Sequence, residues 1–212
     1  ASKVFGVMAI TTEMWKHPFG GPELFEWNDR VLEGTGFVAW KPFEHPQLGP
    51  VELGGWDRWS ISSPPPRLIE AELERNARWV LTFARRLPRL GLPSMGVVFG
   101  GTDSSGDPSD EYWIELRVEN WGWMPTATTW AEKEWHTAKP VRVTLTLSGA
   151  DLLEGVATQS LGVLPGSREG TPTPGHNLSW RVRRTSADRA GSLEITVSSE
   201  KAGTLRRTLV LD

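Results

Sequence analysis

Tyr112-Trp113-Ile114-Glu115-Leu116-Arg117-Val118-Glu119 alternates in character, with Tyr112, Ile114, Leu116 and Val118 on one phase and charged residues or a tryptophan on the other. Successive side chains of a strand point to opposite faces, so a period of two predicts a strand with one face in a core and the other toward solvent. The same period recurs at Val141, Val143, Leu145 and Leu147, at Leu178, Trp180 and Val182, and at Leu193, Ile195 and Val197. With shorter candidates at Met95 to Phe99, Ala157 to Leu161 and Leu205 to Leu211, about seven strands separated by Gly, Pro and Ser turns are expected, which predicts an antiparallel, Ig-like β-sandwich.

Toward the N-terminus the period changes. Pro64-Pro65-Pro66 precedes Leu68, Ile69, Leu73, Ala77, Val80, Leu81, Ala84 and Leu87, which recur at three- and four-residue spacing until Pro88. Proline is accepted in a first helical turn, where its missing N–H has no partner, so an amphipathic helix is predicted there. The change of period near Leu90 to Leu92 predicts two domains, residues 1–90 and 91–212. Between Lys16 and Ser63 no helical or strand period is sustained, and a long loop is expected. Val4 to Ile10 is an apolar run leading to Glu13. It is too short to cross a membrane and lacks the basic start and cleavage site of a signal peptide. It reads as a buried central strand, and because such a strand needs neighbours on both sides the chain is expected to be part of a larger sheet. The overall class expected is α+β.

Composition narrows the chemistry. A net charge of −3, with arginines interspersed among acids, offers no basic field for a phosphate backbone, so nucleic acid is not an expected partner. Without cysteine there is no disulfide, thiolate metal site or cysteine nucleophile. His17, His45, His136 and His176 show no His-x-x-Glu or His-Glu-x-x-His spacing, so no zinc site is expected within the chain. No Gly-x-Ser-x-Gly elbow is present, and Gly100-Gly101 lacks the Lys-Ser/Thr of a phosphate loop.

Three groups remain as candidates. Glu13 would close the predicted central strand, where open α/β sheets place their ligands; the alternative is an ordinary strand-end acid facing solvent or paired with an arginine. The stretch Trp40 to Trp56 gathers His45, Glu52 and Trp56, and with Trp15 these would line a substrate pocket; the alternative is a packed surface loop. Trp113, Trp121, Trp123, Trp130 and Trp135 crowd the start of the sandwich, either as buried covering rings or as an exposed binding row for a glycan or a protein partner.

Thr11-Thr12-Glu13-Met14-Trp15 resembles the strand of the M14 zinc carboxypeptidases that carries the catalytic glutamate. The later proline-led helix resembles the family's final helix, and His45-Pro46-Gln47-Leu48-Gly49-Pro50-Val51-Glu52-Leu53-Gly54-Gly55-Trp56 resembles an insertion found in bacterial members that carry an extra C-terminal β-domain. The resemblance implies that residues 1–90 are the C-terminal portion of an α/β carboxypeptidase domain, with Glu13 as the base acting on a zinc-bound water, and that residues 91–212 are an accessory domain. It further implies zinc in the parent enzyme, held outside this chain by an N-terminal segment on the same or a separate chain. The expected substrate is a peptide, and the expected location is secreted or in the cell envelope. Alone, the chain is expected to be inactive and to self-associate through the open sheet edge.

Overall fold

The computed structural model describes residues 8–17, 20–100, 110–135, 137–168, 173–185 and 190–211. They form two compact units, one Ile10–Thr82 and the other the chain from Phe83 onward together with the residues before Ile10. Antiparallel sheet dominates and helices are few.

In the C-terminal unit the predicted strands appear as β3 (Leu90–Phe99), β4 (Glu111–Asn120), β5 (Val141–Ser148), β7 (Thr158–Gly162), β8 (Gly175–Arg184), β9 (Gly191–Ser199) and β10 (Gly203–Leu211). One further strand, β6 (Ala150–Glu154), has no counterpart among the seven expected. Two four-stranded sheets result, ordered β3-β4-β8-β6 and β10-β9-β5-β7, with every neighbouring pair antiparallel. Their inner faces meet in one core, in which Ile114, Val118, Val141, Val143, Val182 and Ile195 are sealed from solvent. Trp180 is the largest side chain buried there, and its indole N–H donates to the Val156 carbonyl at 2.9 Å.

Two buried polar residues fix the connection after β4. Asn120 Oδ1 accepts from the backbone N–H groups of Arg89 and Gly122, and its amide donates to the carbonyls of Met124 and Pro165. Glu132, in the short helix α4 (Trp130–Glu134), accepts from the backbone N–H and hydroxyl of both Thr128 and Thr129 and lies 3.5 Å from Lys201. A buried polar group is costly unless satisfied, and both of these are.

The N-terminal unit corrects two expectations. Val4 to Val7 lie outside the described residues, and Met8 to His17 form no strand; Ile10 and Met14 stand open to solvent. A strand exists through hydrogen bonds to a neighbour, and none of the described strands pairs with this segment. The supposed loop between Lys16 and Ser63 is in fact structured. It holds α1 (Pro22–Val31), the hairpin β1 (Phe37–His45) and β2 (Gly49–Trp56), and α2 (Arg58–Ser62). Pro22 opens α1, and Asn28 Oδ1 accepts from Gly36 N–H at 2.8 Å, pinning the loop that leads to β1. A side chain on Gly36 would collide with Asn28 and Leu32, which is why glycine occupies that turn.

The proline-led helix is present as α3 (Pro66–Ala84). Its apolar stripe behaves unlike that of an ordinary core helix. None of its side chains is buried; Leu73 and Leu81 are more than half exposed, while the half-buried positions are Leu68, Glu72, Asn76 and Phe83. No helix among the described residues is long and apolar enough to cross a membrane.

Candidate functional site

The extended segment Thr12 to Lys16 runs along a cavity of about 440 Å³ whose other walls come from α1 and α3. Trp27 and Val31 of α1 and Leu68 of α3 supply its apolar part, while Glu13, Glu72, Arg75 and Asn76 supply its polar part. Trp15 packs on Trp27 with ring centres 5.7 Å apart, and these rings belong to the small core built on Leu24, Trp27 and Leu32. The Trp15 indole N–H is enclosed yet finds no acceptor among the described residues. Glu72, mostly covered, is bridged by Arg75 at 2.7 Å, and Asn76 donates to the Glu72 carbonyl at 2.9 Å.

Glu13 lies at the open side of this cavity and is exposed. Glu72, by contrast, is held by its arginine.

The other pocket residues separate. Trp56 ends β2, packs with Phe25 and Phe37 at ring distances of 5.0 and 5.1 Å, and borders a different cavity, of about 560 Å³, along the hairpin with Lys41, Phe43 and Asp57. His45 accepts at Nδ1 from the backbone N–H groups of Gln47 and Leu48, both at 3.2 Å, and so organises the hairpin turn. Glu52, exposed, pairs across the hairpin with Pro42, three rungs from the His45–Gly49 rung. The structure therefore brings Glu13 and Trp15 to one cavity, and neither His45 nor Glu52 lines it.

No three His, Cys, Asp or Glu side chains converge as a metal-binding group among the described residues. His136 lies outside them, while His17 sits against Trp27 with ring centres 5.9 Å apart. Sequence reasoning missed the contribution of α1. Leu24, Trp27 and Val31 fall at three- and four-residue spacing behind a Gly-Gly-Pro start, a signal short enough to be lost among the surrounding glycines and prolines.

A family model described as "Domain of unknown function (DUF8731)" matches residues 102–210, the span that holds β4 to β10. No curated protein matches the chain.

Proposed function

The chain belongs to the DUF8731 family through its sandwich, and for its N-terminal unit we propose, from the residues around Glu13, the closing portion of a zinc carboxypeptidase domain, with Glu13 as the general base and the sandwich as an accessory domain. The observation that carries the reading is the open setting of Glu13 beside a cavity walled by Trp15, Trp27 and α3. The uncovered stripe of α3 adds weight, because an amphipathic helix with Leu73 and Leu81 in water is what a missing layer of an α/β domain leaves behind. The strand order of the sandwich supports the Ig-like reading: β3-β4-β8-β6 corresponds to an A-B-E-D sheet and β10-β9-β5-β7 to a G-F-C-C′ sheet, with the D and C′ positions exchanged along the chain.

Among the described residues no ligand trio for zinc converges, and on this reading the metal would be held by another segment. What this chain contributes is a carboxylate able to take a proton from an attacking water and return it to the departing amine, together with an apolar wall that limits competing solvent. The coding sequence upstream of Ala1 provides the first test. A His-x-x-Glu pair and a distant His are expected there or in a separately encoded partner chain, and their absence from both overturns the assignment. Expressed with that segment, the protein should release C-terminal residues from peptides, and Glu13→Gln should lower kcat by roughly 10² to 10⁴. Turnover unchanged by that substitution removes Glu13 from the chemistry.

A further inference from the structure

β4 turns its odd-numbered residues away from the sandwich core, and these form rungs with the outward residues of β3 and β8: Val98–Trp113–Arg181, Gly96–Glu115–Ser179, Ser94–Arg117–Asn177, and Gly91–Glu119–Gly175. In the two middle rungs Glu115 and Arg117 are flanked by the small or short residues Gly96, Ser179, Ser94 and Asn177, and these rungs form the floor of an open groove of about 480 Å³. A tryptophan stands at each end of the row. Trp113 flanks one end, and Trp121, immediately beyond β4, flanks the other, about 25 Å away along an extended chain.

Both rings are held in place from within the same unit. The guanidinium of Arg181 lies 5.7 Å from the Trp113 ring. Trp121 lies over Gly91, where a Cβ would come within 2.1 Å of the indole, and its N–H donates to Glu119 at 3.0 Å. Each ring is nevertheless about two-fifths exposed. A platform fixed before a ligand arrives loses little conformational entropy on binding.

Charge decides what such a groove would accept. Arg117 is paired with Glu119 at 2.6 Å and donates to Asn177 at 3.2 Å, and Arg181 is bridged to Glu111 and Glu154. Among the described residues, Glu115 is the one charged lining group without an ion pair. Neither a polyanion nor a polycation finds a complementary field here. A neutral ligand rich in hydroxyl groups finds the hydroxyls of Ser94 and Ser179, the Asn177 amide, the Glu115 carboxylate, and an apolar platform at each end.

We propose that the outer face of β3-β4-β8 is a binding groove for an extended neutral oligosaccharide, with its ends stacked on Trp113 and Trp121 and its hydroxyls bonded to Glu115, Asn177 and Ser179. This site is independent of Glu13, so the two readings fail separately. The test titrates the full chain with cellohexaose, hexa-N-acetylchitohexaose and maltohexaose, following heat and tryptophan fluorescence. At least one is expected to bind, and Trp113→Ala and Trp121→Ala are each expected to weaken it tenfold or more, while Trp130→Ala, at a ring outside the groove, leaves it unchanged. Because a ring substitution can disturb packing, Gly96→Phe provides a second probe. A Cβ at Gly96 meets nothing within 4 Å, so this change fills the groove without disturbing the strand and should abolish binding at an unaltered melting temperature. Failure of all three hexasaccharides to bind, binding indifferent to Trp113, Trp121 and Gly96, or binding of an uncharged hexapeptide in their place overturns the proposal.

Discussion

The two units of the chain use apolar residues in opposite ways. In the sandwich, sixteen described side chains share one buried cluster, and the alternation of each inner strand puts every second residue into it. In Ile10–Thr82 the buried apolar cluster is Leu24, Trp27 and Leu32, while Trp40, Leu48, Trp59, Leu73 and Leu81 are open to water. Exposed apolar residues occurring singly are ordinary, but a helix with Ile69, Leu73, Val80 and Leu81 all open to water is not. The contrast teaches that one unit is closed by its own sequence and that the other offers a surface shaped for covering.

The most forceful way to break that comparison is to cut into the closed core. Trp180→Ala removes the largest buried side chain of the sandwich and leaves the Val156 carbonyl without its donor. A loss of about 4 kcal/mol is expected, read as a lowered urea midpoint and faster exchange of the β4 and β9 amides. Leu73→Ala on α3 should change stability by no more than about 0.5 kcal/mol, since the side chain it shortens is already in water. Equal losses at the two positions would erase the distinction between the units.

The open surface is sharpened by its behaviour in solution. If α3 offers a face for covering, the chain alone should self-associate and bind an apolar dye, and Leu73→Glu combined with Leu81→Glu should shift it toward monomer on size-exclusion chromatography without lowering stability by more than about 1 kcal/mol. A strict monomer with no dye binding counts against both the covering and the proposed carboxypeptidase reading.

What could be read from sequence follows the same division. β4, β5, β8 and β9 bury one face each, and burial of one face is what writes a period of two into a strand. β1 and β2 are mostly exposed on both faces, so their residues carry no alternation, and the register shift between Val38 and Lys41 interrupts what little there is. β6 escaped because Ala-Asp-Leu-Leu-Glu sets two leucines side by side and so shows no period of two. Glu13 stands out in the sequence through the Thr-Thr-Glu-Met-Trp motif, but its environment does not. Whether its segment pairs as a strand depends on neighbours that an apolar run does not specify, and the cavity beside it is made by α1 and α3.

The smallest effect expected belongs to Glu132, where the sandwich places a carboxylate almost out of solvent. Burial acts to raise its pKa, but the Thr129 N–H and hydroxyl, the charge of Lys201 and the Thr128 N–H together outweigh it and hold the group below its ordinary value of 4.5. A carboxyl whose pKa is lower folded than unfolded binds fewer protons in the folded state. Its stabilising contribution is therefore complete above the unfolded value and is lost as pH falls through the folded one. Wild-type stability should accordingly fall on acidification below about pH 4.5, with Glu132 among the groups responsible. Glu132→Gln keeps the shape but removes the titration. It should lower stability at pH 7, where the bonds to Thr128 and Thr129 are weakened, and should flatten the decline between pH 4.5 and lower values. If the acid slope of the variant matches that of the wild type, the four donors around Glu132 do not favour its charged form, and the sandwich is closed by apolar packing alone.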